Sequence, residues 1–186
     1  GAWNSQYDAP LIPMLSARYR WGKYALRASW SKGFRAPDIK ELYIFFVDVN
    51  HNVQGNPNLQ AEESNNVMLS LTGLRQLKKG FLKPSISAFY NHITDKINLA
   101  NIRTDLYTYV NVEEFRSAGG RINLNWLDEK TKINTGFGWT AINNGLGADP
   151  NDFYNYLELS AGLQTKLKGI DVSISSKFNG KQQIYV

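Results

Sequence analysis

The 186-residue chain contains no cysteine, which removes disulfide scaffolds, thiol nucleophiles and cysteine-ligated zinc together. Exported proteins of this size need no disulfides, so the absence leaves the compartment open. Apolar residues never run to the ~20 that a membrane helix requires, and no leader is expected at the start. A chain of this kind reaches a membrane with strands or not at all. Lys78-Lys79 is the longest basic cluster despite a net charge of +5, so the concentrated cationic face that nucleic acid demands is missing. With two histidines, and without His-Glu-x-x-His, Gly-x-Ser-x-Gly or a P-loop, a catalytic set has few possible members and no enzyme is expected.

What is present is aromatic and alternating. Aromatics make up 13% of the chain and apolar residues 42%, too much for a disordered polypeptide. A period of two runs through Leu11 to Trp21, Tyr24 to Ser31, Val67 to Thr72, Phe81 to Ile97, Tyr109 to Trp126, Lys132 to Ala141, Leu157 to Leu167 and Ile170 to Asn179. Phe89 breaks the pattern in the fourth run, and Gly119-Gly120 suggests a bulge or kink in the fifth. The only expected helix is a short turn around Asp38 to Tyr43, after Pro37.

Eight expected strands are joined by links that run short, long, short, long, short, long, short; the three long ones are 31–66, 98–108 and 143–152. Systematic alternation of this kind, with strands of roughly ten residues, is the pattern of outer-membrane barrels. The fold class read from it is all-β: an antiparallel meander of about eight strands, part of a transmembrane β-barrel. One side of the strands carries Arg18, Arg27, Arg121, Lys132, Glu158, Asp171 and Lys177, suited to a wet lumen. Tyr19, Trp21, Trp30, Trp126, Trp139, Tyr154 and Tyr156 lie near strand ends, where an aromatic girdle belongs. Alternation by itself also fits a soluble antiparallel sheet with one solvated face, such as a ligand-binding β-sandwich, and that alternative stays open here.

The stretch 31–66 is too rich in Gly, Asn and Pro to be one element and reads as a long ordered loop, a common carrier of function. Its Gly33-Phe34-Arg35-Ala36-Pro37, Glu41-Leu42-Tyr43 and Gly55-Asn56-Pro57-Asn58-Leu59 boxes, followed by Glu62, closely resemble a segment of the TonB-dependent outer-membrane receptors. What the resemblance implies is a 22-stranded barrel with an N-terminal plug, importing iron-siderophores, haem or cobalamin across the outer membrane of a Gram-negative bacterium with energy passed through TonB. Eight strands are too few for that barrel. The expectation is therefore a single segment, 1–186, of such a barrel, without the plug through which TonB would be contacted, and with a long extracellular loop at about 33–62.

The haem receptors of that family resemble this loop most, because a histidine, here His51, stands between the two boxes. An imidazole there would ligate haem iron; otherwise no metal or cofactor is expected in the segment. His51, Arg35, Tyr43 and Phe45 are the candidate ligand contacts, and Gly33, Phe34, Ala36, Pro37, Asn56, Pro57, Asn58, Leu59 and Glu62 are motif residues with structural roles. Each candidate has a plainer reading: His51 as a polar loop residue, Arg35 with Glu62 as an ion pair pinning the loop, and Tyr43, Phe45 and Phe46 as loop packing. His92 is read as structural. The Asp48/His51 and His92/Asp95 pairs are the only basis for an outer-membrane hydrolase.

Overall fold

The computed structural model describes residues 7–8, 10–48, 52–103, 105–145 and 152–181. Eight strands form one antiparallel meander: β1 (Met14–Trp21), β2 (Tyr24–Arg35), β5 (Glu62–Gly73), β7 (Phe81–Arg103), β8 (Leu106–Leu127), β9 (Thr131–Asn143), β10 (Tyr154–Leu167) and β11 (Ile170–Asn179). Three short strands, β3 (Phe45–Val47), β4 (Asn52–Gln54) and β6 (Arg75–Gln76), and the helix α1 (Ile39–Tyr43) lie in the connections. The sheet is open, with β1 and β11 at its edges.

Strand register converts the sequence alternation into two faces. Reading straight across the sheet, Tyr19, Leu26, Leu71, Ile86, Ile122, Phe137, Leu159 and Phe178 stand opposite one another in a single apolar row. One residue along each strand, the row is Arg18, Arg27, Ser70, Ser87, Arg121, Gly138, Glu158 and Asn179. Because the side-chain period is two, a slip of one residue anywhere would exchange these faces, so the hydrophobic pattern holds the register. Ile86, Ile122, Phe137, Leu159 and Phe178 keep 50%, 46%, 43%, 48% and 60% of their surface exposed. Among the described residues nothing is packed on this face, so they do not form the two-layer core of a β-sandwich.

Aromatics bound the apolar face at two levels. At the short-turn rim Tyr19, Trp21 and Tyr24 form a stacked run with ring centroids 5.6 and 5.9 Å apart, and the Trp126 indole donates to the Lys79 carbonyl at 3.2 Å. Trp30, Tyr90 and Trp139 mark the other level, where the Trp139 indole donates to Asn155 at 3.1 Å. Along β2 the two levels are six residues apart, about 20 Å at ~3.3 Å per residue, close to the apolar band of an outer-membrane barrel. Tyr154 and Tyr156 do not join the girdle: β10 alternates, so they share the polar face with Glu158.

Two sequence expectations are corrected in the β7/β8 hairpin. The polar stretch 98–108 is strand, not loop: β7 and β8 are 23 and 22 residues long and leave two residues between them. Its polar residues conceal a strand because this part of the ladder rises beyond the apolar band. Gly119-Gly120 makes no kink. A Cβ at Gly119 would lie 2.7 Å from the Phe89 ring and 2.6 Å from the Trp139 carbonyl, so the glycine gives room to the inward Phe89 that broke the alternation. The irregularity in this pair falls instead between Asn101 and Arg103, and Asp95 takes a positive φ of 54°.

Candidate functional site

The connection 36–61 at the long-loop rim is built as a clamp. Pro37 is buried, and Asp38 caps α1: its carboxylate accepts from the Glu41 N–H at 2.7 Å, and its own N–H donates back to Glu41 Oε2 at 2.9 Å. This reciprocal pair satisfies two of the donors a helix start leaves open. Leu42 points inward, 1% exposed, against Leu59 and Ile97, with Tyr7 and Tyr109 beside them. That cluster is the main buried apolar core among the described residues.

Arg35, the last residue of β2, joins the loop to the sheet. Its Nε and Nη2 donate to the two oxygens of Glu62 at 2.9 and 2.7 Å, and its Nη1 donates to both oxygens of Glu41 at 3.0 and 2.9 Å. Planar fork geometry lets one guanidinium hold two carboxylates. The Arg35–Glu62 pair was legible in the sequence; Glu41, its second partner, was not. Arg35 is held above the ordinary guanidinium range, chiefly by the Glu62 hydrogen bond, against the opposing effect of burial. Burial works to raise the Glu62 carboxyl, but the Arg35 hydrogen bond, the Ile97 N–H and the nearby cations outweigh it and hold the group below the usual carboxylate range.

The second box closes the clamp. The Gly55 N–H donates to the Ile44 carbonyl at 2.7 Å and the Asn56 N–H to the Glu41 carbonyl at 2.9 Å, so the chain returns against the end of α1. A Cβ at Gly55 would lie 2.5 Å from the Tyr43 nitrogen and 2.6 Å from the Leu42 carbonyl, which is why no other residue fits. The Asn56 side chain accepts from Asn58 N–H at 3.0 Å, folding a turn around Pro57, and donates to the Tyr109 carbonyl at 3.0 Å. The Tyr7 hydroxyl donates to the Leu59 carbonyl. Asn111, which carries no sequence signal, grips the Gln60 backbone at both its N–H (2.8 Å) and its carbonyl (3.0 Å). Meanwhile β4 adds in parallel to the upper part of β8, Asn52 to Gln54 beside Leu106 to Thr108.

What the clamp displays is apolar. Tyr43, Phe45 and Phe46 are 61%, 76% and 50% exposed, with Ile39 and Val47 beside them in sequence also exposed, so the expectation that these rings pack against the loop's neighbours is corrected. Gly33, Phe34 and Ala36 lie in or just beyond the end of β2, half buried, where Gly33 abuts the Ser64 hydroxyl. His51 lies outside the described residues, and with it the Asp48/His51 pair. His92 faces Glu114 at 3.5 Å across the β7/β8 ladder, with Arg116 bound to the same carboxylate, so the contact drawn for it is not with Asp95.

A family model described as "TonB dependent receptor-like, beta-barrel" matches residues 2–181. The chain belongs to that family. In this TonB-dependent receptor barrel the apolar face of the sheet is the lipid side and the polar face lines the lumen. The fold is similar to the siderophore receptor PirA from Pseudomonas aeruginosa, at 18% identity and a TM-score of 0.76, with 95% of this chain and 35% of that chain covered. It is also similar to a double mutant of the Serratia marcescens hemophore receptor HasR in complex with its hemophore HasA and heme: 17% identity, TM-score 0.71, covering 90% of this chain and 32% of that one. The chain thus spans about a third of the length of both structures. No curated protein matches it in sequence.

The clamp's ion pairs fix the sign of its pH response. Glu62 has a depressed folded pKa, so the stabilisation it contributes is fully present above the ordinary carboxylate range and is lost as pH falls through the depressed value. A nitroxide attached through Phe46→Cys in the receptor should give an immobile spectrum at neutral pH and a mobile one only below the ordinary carboxylate range. A loop already mobile at pH 7, or one released by alkali, would contradict the clamp.

Proposed function

We propose that the chain is part of the barrel wall of an outer-membrane receptor of a Gram-negative bacterium, which binds a scarce nutrient outside the cell and imports it with energy supplied through TonB. The clamped loop 36–61 stands on the outer rim and presents a ligand-facing shelf. The observation that carries this reading is the exposure of Tyr43, Phe45 and Phe46 on a segment that is otherwise bonded to the sheet at many points. A rigid support that displays aromatic rings offers stacking area at low ordering cost, the economical arrangement for a flat or ring-bearing ligand. Arg35 positions this shelf through Glu41 and Glu62.

The ligand class is a ferric siderophore, haem or cobalamin. PirA is named as a siderophore receptor, which supports the first, and HasR as a hemophore receptor in complex with its hemophore and heme, which supports the second; cobalamin rests on the family resemblance alone. The test is a titration of the purified receptor with haem, a ferric siderophore and cobalamin. Tyr43→Ala with Phe45→Ala is expected to weaken the ligand that binds about tenfold, the equivalent of ~1.4 kcal/mol. Unchanged affinity for whichever ligand binds would remove the shelf. If that ligand is haem, His51 is the proposed axial donor, and His51→Ala should weaken the Soret shift seen on binding; an unaltered spectrum would assign the histidine no part.

A further inference from the structure

One residue of β7 leaves the extended region in mid-strand. Two non-glycine residues among those described have a positive φ: Lys168, at 46°, in the tight turn between β10 and β11, and Asp95, at 54°, inside the 23-residue β7. Aspartate tolerates that conformation better than most side chains, but a strand interior gives no reason for it. The Asp95 carboxylate has no hydrogen bond or ion pair among the described residues, which leaves the backbone as the part that acts. Two ladders stop at this residue. β8 pairs with Thr94 and Lys96 but skips Asp95, and the β5/β7 ladder ends at Glu63 and Thr94, although Glu62 still pairs with Arg35 on the other side of β5.

Beyond that point side chains take the place of the ladder. The Ile97 N–H donates to Glu62 Oε1 at 2.7 Å, the same oxygen that accepts from Arg35. The Asn111 amide donates to the Asp95 carbonyl at 2.7 Å and to the Gln60 carbonyl at 3.0 Å, while its oxygen accepts from the Gln60 N–H at 2.8 Å. With Asp95 extended, the same register would set Glu62 opposite Asp95, Ala61 opposite Lys96 and Gln60 opposite Ile97, and main-chain bonds would satisfy these groups instead. Leu59, next in line, would be drawn along β7 and out of its contact with Leu42. We infer that Asp95 is a positioning residue: its left-handed backbone stops β5 from zipping further along β7, and so keeps 56–62 on the Asn111 and Glu62 bonds that seat the aromatic shelf. This role rests on the shelf proposed above and adds the element of the wall that fixes its place.

Substitution at 95 separates this role from general damage, because the usual preferences of a strand are reversed. Valine favours an extended backbone and ordinarily strengthens a strand, whereas glycine weakens one. In the intact receptor in lipid vesicles, Asp95→Val is expected to free the nitroxide at Phe46→Cys at neutral pH. It should also weaken binding several-fold for whichever of haem, ferric siderophore or cobalamin the receptor takes, while the barrel's unfolding midpoint holds or rises as the ladder lengthens. Asp95→Gly and Asp95→Asn, which accept the left-handed backbone, should restore both the immobile label and the affinity. If Asp95→Val fails to insert, Asp95→Thr makes the same test with a polar β-branched side chain. An immobile label in the β-branched variant, a mobile one in Asp95→Gly or Asp95→Asn, or a midpoint that falls together with the loop would overturn the role. The label spectrum needs no ligand, so a receptor that binds none of the three would defeat the proposed shelf and leave this backbone stop to be decided by the spectrum.

Discussion

Ile122→Arg is expected to destabilise the receptor barrel by about 2–4 kcal/mol, while Asn123→Arg, one residue away, should cost far less. Ile122 lies in the middle of the apolar row, between Ile86 and Phe137, and four residues along β8 from Trp126. A guanidinium there must sit in hydrocarbon or distort the bilayer to reach water, and the nearest lipid interface is several residues off. Asn123 points to the polar face, where its amide donates to the Ser85 hydroxyl at 3.4 Å, and an arginine added there stays in a wet lumen. Denaturant unfolding of both variants reconstituted in lipid vesicles gives the comparison. Equal losses would mean that the two faces do not meet different solvents.

Gly55→Ala should be the most damaging small substitution in the loop, at about 1–3 kcal/mol of lost loop stability, the usual range for forcing a methyl into filled space. The methyl would meet backbone, the Tyr43 nitrogen and Leu42 carbonyl within 2.6 Å, and backbone held by a capped helix cannot swing aside as a side-chain end would. Relief requires parting β4 from α1, which breaks the Gly55–Ile44 and Asn56–Glu41 hydrogen bonds and loosens the Tyr43–Phe45 shelf. Ligand affinity should therefore fall together with faster proteolysis of 36–61, whereas the barrel's own unfolding midpoint stays unchanged. Gly169→Ala makes the contrast: its Cβ site is open, and only its φ of +87° carries a cost.

The strands were legible because their alternation answers to a single force, the transfer of one face out of water, and that signal is written every second residue from Tyr24 to Trp30 or Ile133 to Trp139. Where the ladder leaves the apolar band the signal ends, although the hydrogen bonds continue, so 98–108 looked like loop while pairing as strand. Tyr154 and Tyr156 were misplaced for a related reason: nearness to a strand end says nothing of the face, which only the parity set by Leu157 and Leu159 decides. In the loop, Asp38 and Pro37 announced the helix because capping is local. Glu41 and Asn111 gave no such notice, since they act on Arg35 and on the Gln60 backbone through contacts that only the folded return of the chain creates.

Nitroxide scanning of β8 from Gly120 to Trp126 tests most directly that this sheet separates lipid from water. The absence of cysteine makes single-site labelling clean within these 186 residues. In the receptor reconstituted in a bilayer, labels at 120, 122, 124 and 126 should collide preferentially with oxygen dissolved in lipid, and those at 121, 123 and 125 with a water-soluble nickel chelate. Uniform accessibility along the strand, or protection from both reagents at every position, would contradict the barrel wall.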